Sequence, residues 1–292
     1  MKDILILGAN GQLGKSLTLV LKNHFNVFAL NKNECDVTNE KILRQWFSKI
    51  KPEIVFNASA FTNVDQAEID FESANSVNNQ AVENIAKLCN ESDSVLIHFS
   101  TDYVFNQALK NPITEDVMKN PINSYGLSKH LGEEKIIEIC KKFYIFRICW
   151  LYGLGGDNFP KKIISLAKEN KVIRIVNDQF GTPTSTNFIA NSMKEIILNK
   201  GFESNFGTYH LCPDGYTNWF EFAKLIYLEA SKYKKDLILE EIRPIKSNQI
   251  SFSAKRPKNS FMDNTKIKKT FNIHIESWEK EVESFIEEFC YE

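Results

Sequence analysis

The sequence predicts an α/β protein with a Rossmann-like, doubly wound parallel sheet and a smaller mixed α/β lobe toward the C-terminus. Short runs rich in β-branched residues alternate with longer amphipathic stretches over residues 1–150, which is typical of a parallel sheet covered by helices. A glycine-rich segment joins the first of these runs to the first amphipathic stretch. With 292 residues and 43% hydrophobic content, the chain can bury a full core.

The strands predicted in the first part have apolar centres, as expected for strands buried on both faces. They are Asp3 to Leu7, Asn26 to Leu30, Glu53 to Asn57, Ser94 to Phe99 and Phe143 to Ile148. Apolar residues at three- and four-residue spacing predict helices at Gln12 to Asn23, Asn39 to Ile50, Ser73 to Asn90 and Tyr125 to Lys142. Thr38 is expected to cap the second helix, because its hydroxyl can accept a bond from a free first-turn amide.

The pattern loosens after Leu151 into a glycine-rich stretch and then resumes. It predicts a strand at Val172 to Val176, a turn-rich loop at Asp178 to Thr186, and helices near residues 158–168, 187–199, 218–232, 265–271 and 277–289. We therefore divide the chain into a Rossmann domain at residues 1–152 and a second lobe at residues 153–292. Some segments of the second lobe are expected to return to the Rossmann domain.

Charge and composition argue against several classes of partner. Lysine and arginine number 36 against 37 acidic residues, so the net charge of -1 offers no general attraction for nucleic acid or an anionic membrane. No apolar stretch approaches the ~20 residues of a membrane span, and we expect a cytoplasmic protein. The six cysteines form no CxxC pair, and we expect them to be reduced and to bind no metal.

The segment Gly8-Ala9-Asn10-Gly11-Gln12-Leu13-Gly14 follows a predicted strand directly and opens a predicted helix. Glycine permits a tight turn and lets a pyrophosphate approach the backbone, while the helix N-terminus supplies free amides. The segment therefore predicts a dinucleotide site. The alternative is that these glycines only make the turn from strand to helix.

The residue after the second strand bears on the choice of dinucleotide. NAD-specific proteins of this fold have an acid there that binds the adenosine ribose, whereas this chain has Asn31 followed by Lys32. Asparagine does not repel a 2′-phosphate and lysine can neutralise one, which favours NADPH over NADH. The alternative is that Lys32 is an ordinary surface charge.

Tyr125 and Lys129 lie four residues apart at the start of a predicted helix, so both project from one face. Reduction of a ketone requires a proton on oxygen, and a phenol can supply it if a nearby ammonium lowers its pKa. Thr101, in the segment Phe99 to Phe105, ends the fourth predicted strand, where open α/β sheets place their ligands. It can donate a hydrogen bond to the reacting oxygen, or it can simply bond the strand-end backbone.

Together these segments resemble the extended short-chain dehydrogenase/reductases, and within them the dTDP-4-dehydrorhamnose reductase family. The resemblance runs nearly end to end. It is carried by LGANGQLG (7–14), NASAFTNVDQAE (57–68), FSTDYVF (99–105), YGLSK (125–129), RICWLYG (147–153), NDQFGTPT (177–184), GTYHL (207–211) and RPKNS (256–260). It implies reduction of the C4 ketone of a dTDP-linked 4-keto deoxysugar, with NADPH or NADH as the hydride source.

The resemblance also implies roles for individual residues. Tyr125 is the proton donor, Lys129 holds the nicotinamide ribose, and Thr101 completes the triad. The substrate neighbours are Thr101, Asp102 and Trp150, and Arg256 is a candidate for the diphosphate because its fork of donors suits phosphate oxygens. Besides Tyr125 and Lys129, the cofactor residues are Gly8, Asn10, Gly11, Gln12, Leu13, Gly14, Asn31, Asp36, Val37, Ala60, Phe61, Thr62 and Phe99.

Two points stay open beside this resemblance. Some family members form dimers bridged by magnesium through acidic side chains, but the corresponding positions here hold Ser16 and Asn187, which are weak magnesium ligands. We therefore expect no metal, and a monomer or a weak homodimer. The alternatives for function are a reductase of another 4-keto sugar nucleotide, a sugar-nucleotide epimerase and a non-catalytic regulatory homologue.

Overall fold

The computed structural model describes residues 1–106, 111–199 and 202–291. The strands in these ranges are β1 (Asp3–Leu7), β2 (Asn26–Leu30), β3 (Ile54–Asn57), β4 (Val95–Thr101), β5 (Phe143–Ile148), β6 (Leu151–Tyr152), β7 (Val172–Val176), β8 (Phe180–Gly181), β9 (Thr184–Ser185), β10 (Gly207–His210), β11 (Thr217–Asn218), β12 (Glu241–Ile245) and β13 (Asn259–Ser260). The helices are α1 (Gln12–Leu21), α2 (Glu40–Ile50), α3 (Val64–Ile69), α4 (Phe71–Asn75), α5 (Ala81–Glu91), α6 (Ser124–Ile139), α7 (Phe159–Glu169), α8 (Thr186–Leu198), α9 (Trp219–Tyr233), α10 (Thr265–Phe271) and α11 (Trp278–Tyr291).

The centre of the molecule is a six-stranded sheet in the order β10-β5-β4-β3-β1-β2. Every neighbouring pair in it is parallel, which confirms the predicted fold class. β1, β2 and β5 have the predicted bounds, and β3 begins one residue later than predicted. β4 begins at Val95 and runs on to Thr101 rather than stopping at Phe99. The carboxyl ends of β1, β3 and β4 therefore meet at one edge of the sheet.

Helices cover both faces of the sheet because successive strand residues point to opposite sides. Ile4 and Ile6 pack into a core that includes residues of α1, α8 and α10. Leu5 and Leu7 pack into the opposite core, which includes residues of α2, α5 and α6. This arrangement explains why the strands read as continuous apolar runs.

The second lobe has its own apolar core, formed by residues of α7, α9, α11 and β7. Two segments from this half of the chain lie against the large sheet, since β10 pairs with β5 and α8 packs on α1. The boundary at residue 152 stays a prediction. In the part of the chain that the structure describes, no helix has the length and apolarity needed to cross a membrane.

Two local predictions were wrong. The cap of α2 is Asn39, whose side chain accepts from the amide of Ile42, whereas the hydroxyl of Thr38 donates to Asp36 at 2.7 Å. The helix predicted over Ser73 to Asn90 is instead α4, a π-helical turn at Ser76–Gln80, and α5. The π turn brings the Asn78 carbonyl so close to α6 that a Cβ at Gly132 would lie 2.1 Å from it.

Candidate active site

The glycine-rich loop lies at the carboxyl end of β1 and is held against β2. The amides of Gly8 and Ala9 both donate to the carbonyl of Leu30 at 3.0 Å, and the amide of Gly11 donates to the carbonyl of Gly8. Gly8 has a φ of +81°, a left-handed conformation that favours glycine. The loop is therefore a tight turn beside the last residue of β2.

Gly14 allows α1 to approach this turn closely. A Cβ at Gly14 would lie 2.3 Å from the Gly8 carbonyl oxygen, so no larger residue fits without moving the backbone. α1 begins after Gly11 with no side-chain cap and no acidic residue in its first turn. Its free amides and positive dipole face the loop, and these groups fit the pyrophosphate of a dinucleotide.

The other predicted loop residues have distinct environments. Asn10 is exposed and Leu13 is buried in the core beneath the loop. The Gln12 side chain reaches the second lobe, where it donates to the carbonyl of Asp157 at 3.3 Å and accepts from Asn158 at 3.1 Å. The loop is thus tied to the segment that precedes α7.

The structure places a carboxylate at the end of β2 that the linear motif did not reveal. Asn31 directs its side-chain amide to Glu34 at 2.6 Å, and its backbone amide donates to the same carboxylate at 2.9 Å. Lys32 is exposed, Val37 is buried, and Asp36 accepts from Thr38, whose hydrogen bonds lower the pKa of Asp36. An acidic group therefore lies beside Asn31 in spite of the missing acid at position 31.

The segment that follows β3 is clamped to α6 by one buried side chain. Asn78 accepts from the amide of Phe61 at 2.9 Å, and its amide donates to the carbonyl of Phe61 and to the hydroxyl of Ser128, both at 3.0 Å. Ser128 is the neighbour of Lys129. The clamp fixes the position of the predicted cofactor residues Ala60, Phe61 and Thr62 relative to α6.

Lys129 is almost fully buried and its ammonium group is held by β4. Its Nζ donates to the carbonyl of Phe99 at 2.7 Å and lies 3.2 Å from Nε2 of His98. Burial lowers the pKa of Lys129 to about 8, although Glu133 partly offsets the effect. Glu133 itself is paired with Arg147 through bonds of 2.9 and 2.7 Å.

Tyr125 lies on the same face of α6, one turn before Lys129. Its ring packs edge-on against Tyr103 with 5.5 Å between centroids. The sequence suggested that Lys129 lowers the pKa of Tyr125, but burial raises this pKa well above its usual range, and a hydrogen bond with Thr101 offsets only part of the shift. The charges of Asp102 and Tyr103 raise this pKa further. Tyr125 is therefore a protonated phenol at neutral pH.

Thr101 bonds the backbone at the end of its strand, and its role toward a reacting oxygen stays a prediction. Its hydroxyl accepts from the amide of Tyr103 at 3.2 Å and donates to Asp102 at 3.0 Å. Asp102 is buried, and loss of hydration raises its pKa to about 6 even though hydrogen bonding opposes the shift. A buried carboxyl group thus lies one residue from the hydroxyl expected to meet the reacting oxygen.

A cleft of about 400 Å³ opens beside Tyr103 and extends into the second lobe. Trp150 and Arg256, two of the four predicted substrate neighbours, both line it, whereas Thr101 and Asp102 do not. Trp150 has a φ of +49°, and its ring stacks on that of Trp219 with 3.7 Å between the ring centroids. Arg256 binds Asp65 at 2.6 Å and Tyr103 at 3.3 Å, so its fork of donors is partly engaged before any ligand arrives.

The sequence reasoning missed several residues of this cleft. Trp219, which opens α9, and Phe252 stood in none of the motifs that the sequence analysis singled out. The side-chain oxygen of Gln179 accepts from the indole of Trp219 at 3.2 Å. Gln179 lies inside the segment NDQFGTPT, which was its only signal in the sequence. Arg174 also lines the cleft, on β7. These side chains converge through pairings of the second lobe that no local pattern encodes.

The predictions about cysteines and metals concern other parts of the molecule. None of the six cysteines forms a disulfide, and five of them are buried. The hydroxyl of Ser16 donates to Thr186 at 2.7 Å, and the adjacent Asn187 is exposed. Residues 1–106, 111–199 and 202–291 contain no group of three or more His, Cys, Asp or Glu that could hold a metal ion.

The parallel sheet, the glycine turn against β2 and the tyrosine and lysine on one face of α6 define an extended short-chain dehydrogenase/reductase. The sequence model of the family described as RmlD substrate binding domain matches residues 1–291, and the chain belongs to this family. It is similar to the dTDP-4-dehydrorhamnose reductases of Salmonella typhimurium and Escherichia coli K12, with 36% and 35% identity over 98% of this chain and 97% of each relative.

Solved structures agree with this assignment. The chain is similar to a dTDP-4-dehydrorhamnose reductase from Bacillus anthracis in complex with NADP, with a TM-score of 0.92, 34% identity and coverage of 98% of this chain and 99% of that one. An ortholog of the same name from Clostridium acetobutylicum has a TM-score of 0.91 and 33% identity, with 98% of each chain covered.

The buried carboxyl of Asp102 generates a prediction about stability. Because its pKa is raised to about 6, the folded chain binds this proton more tightly than the unfolded chain, and stability is lost as pH rises from 4 through 6. Asp102→Asn removes this loss, so its stability relative to the unaltered chain should grow by roughly 2–3 kcal/mol between pH 4 and pH 7. Urea unfolding at both pH values measures the difference. The control is Asp157→Asn, at an exposed aspartate; an equal change there would contradict the prediction.

Proposed function

We propose that this chain reduces the C4 ketone of dTDP-4-dehydro-6-deoxy-L-mannose to dTDP-L-rhamnose, with NADH or NADPH as the hydride source. The observation that carries the proposal is the nearly full-length similarity to reductases of this name. The buried lysine and half-buried tyrosine on one face of α6, beside the end of β4, supply the groups that such a reaction needs.

The proposed cofactor site follows the carboxyl edge of the sheet. The amides at the start of α1 and in the turn from Gly8 to Gly11 would hold the pyrophosphate, and Asn31 with Glu34 would face the adenosine ribose. The segment from Ala60 to Thr62, clamped by Asn78, would line the path toward α6. When bound, the reduced nicotinamide supplies the hydride.

The remaining chemistry belongs to side chains of the protein. We assign the proton donor to the Oη of Tyr125, because burial keeps this phenol protonated and a donor must hold its proton before the reaction. Lys129 would bind the nicotinamide ribose, and Thr101 would bond the ketone oxygen by releasing its bond to Asp102. Each of these three groups lies at the end of β4 or on the facing turn of α6.

The cleft of the second lobe is the proposed site of the sugar nucleotide. Trp150 and Asp102 would flank the sugar, and Arg256 would bind the diphosphate. Arg256 already lies on the cleft wall beside Tyr103, but its ion pair with Asp65 must rearrange or share donors when the diphosphate binds.

A cytoplasmic location and a monomer or weak homodimer without a metal bridge also remain predictions.

The sugar nucleotide is the least constrained part of the proposal, because a reductase of another 4-keto sugar nucleotide would share the cofactor site and triad. The test is to assay dTDP- and UDP-linked 4-keto deoxysugars side by side and to follow NADPH oxidation. We expect turnover of the dTDP compound with formation of dTDP-L-rhamnose. Turnover of the UDP compound alone would assign the chain to the other substrate class.

Tyr125→Phe tests the proton donor. The substitution removes only the hydroxyl, so kcat should fall by at least ~10²-fold, the usual scale of general acid catalysis, while the affinity for NADPH stays nearly constant. Steady-state kinetics and fluorescence titration with NADPH measure the two effects. Near-normal turnover would remove Tyr125 from the chemistry.

Glu34→Gln tests the carboxylate beside Asn31. A carboxylate at this place repels the 2′-phosphate of NADPH, so its removal should raise the ratio of kcat/KM for NADPH over NADH by roughly tenfold, equivalent to ~1.4 kcal/mol. The matched control is Glu91→Gln, because Glu91 is exposed at the end of α5, ahead of the amino end of β4. An unchanged ratio in Glu34→Gln would show that Glu34 does not face the ribose.

A further inference from the structure

Lys129 ends a chain of buried hydrogen bonds that the proposed reaction does not use. His98 on β4 is fully buried, with Nε2 at 3.2 Å from Lys129 and Nδ1 at 3.1 Å from the side-chain amide nitrogen of Asn57. Asn57 ends β3 and is also buried. Its oxygen accepts from the backbone amide of Ser59 at 3.2 Å and from the Ser59 hydroxyl at 2.5 Å.

The backbone amide of Ser59 determines the orientation of Asn57. This amide can only donate, so the group facing it must be the side-chain oxygen of Asn57. The NH₂ group of Asn57 therefore faces His98 and donates to Nδ1. A neutral imidazole that accepts at Nδ1 carries its hydrogen on Nε2, and burial beside Lys129 holds the pKa of His98 well below its usual value.

The consequence for Lys129 follows from counting donors and acceptors. An ammonium group has three donors and no acceptor, so an N–H of His98 aimed at it places a donor against a donor. A neutral amine has a lone pair and can accept that N–H while it still donates to the carbonyl of Phe99. The hydrogen-bond chain is complete only when Lys129 is neutral.

We propose that Asn57 and His98 act as positioning residues that hold an N–H against Lys129 and so control whether this lysine carries a proton at neutral pH. Burial already lowers the pKa of Lys129, and an N–H of His98 aimed at its Nζ disfavours the ammonium further. The lysine can therefore gain and lose a proton near the working pH. The inference rests on the proposed role of Lys129 in the reductase.

The other charged or titratable groups around Lys129 do not replace this control. Glu133 on α6 favours the ammonium, but the Arg147 of β5 neutralises it through two hydrogen bonds. Burial alone would raise the pKa of Glu133, yet Arg147 brings it below its usual value. Tyr125 is neutral, and Asp102 after β4 acts on Tyr125. His98 is therefore the group at hydrogen-bond distance that can oppose the ammonium.

The tautomer of His98 can be observed directly by ¹⁵N NMR of the imidazole nitrogens in the unaltered protein, with assignment by loss of the signals in His98→Leu. We expect a neutral ring with hydrogen on Nε2 from pH 6 to pH 9. Ser59→Ala keeps the backbone amide and should keep this tautomer. Hydrogen on Nδ1 in the unaltered protein would overturn the proposal, and this result needs neither substrate nor activity.

Asn57→Asp reverses the donor and acceptor order of the hydrogen-bond chain with little change in the shape of the side chain. A carboxylate accepts from Nδ1–H, which turns the lone pair of Nε2 toward Lys129 and favours the ammonium. In NADPH-dependent reduction, the alkaline limb of the kcat/KM profile should move upward by about one pH unit, and NADPH affinity should persist to correspondingly higher pH.

A double-mutant comparison separates this route from the added negative charge. In the His98→Leu background the same Asn57→Asp change should move the alkaline limb by less than a third of that amount, because the imidazole no longer connects the two groups. An equal shift in both backgrounds would mean simple electrostatics and would overturn the proposal. No shift in either background would overturn it as well. If the unaltered protein has the expected His98 tautomer but no reductase activity, the result would instead contradict the proposed function.

Discussion

The bond from Lys129 to the carbonyl of Phe99 is the contact on which the arrangement of the site depends. It joins α6 to β4 across the carboxyl edge of the sheet, and it buries the amino group of Lys129 with a backbone carbonyl and one imidazole as polar partners. Because an ammonium group is costly to remove from water, the residues around it are constrained in both shape and polarity. Tyr125 and Ser128 belong to the same helix, so this contact helps to fix their position relative to β4.

Other residues of α6 fix further segments at the same edge of the sheet. Ser128 binds Asn78, which holds the backbone of Phe61 in the segment that follows β3. Gly132 lets the π turn that carries Asn78 lie directly on α6. The segments after β3 and β4 are therefore fixed to one helix, which is how side chains from distant parts of the sequence acquire a common geometry.

Much of the fold could be predicted from the sequence, because strands buried on both faces and a glycine turn into a helix leave strong local patterns. The positions of Tyr125, Lys129 and Thr101 at one edge follow from the same patterns. The pKa of Tyr125 could not be predicted, since it depends on how completely the hydroxyl is buried and on where Lys129 points. Spacing along a helix contains neither quantity.

Other features were missed because they arise from contacts between distant segments. Glu34 supplies the carboxylate at the end of β2 only through a turn that folds it back onto Asn31. Arg256 reaches the cleft wall through a partner, Asp65, almost two hundred residues earlier in the chain. The cap of α2 differs by one residue because Asp36 captures the hydroxyl of Thr38. In each case the sequence does not show which polar groups will pair.

The most direct test of this account is a crystal structure of the chain with NADPH and dTDP bound together. We expect Lys129 to keep its bond to the Phe99 carbonyl while it reaches the nicotinamide ribose, the pyrophosphate to lie on the start of α1, and the dTDP diphosphate to contact Arg256 beside Trp150. A nicotinamide ribose out of reach of Lys129, or dTDP bound outside this cleft, would contradict the account.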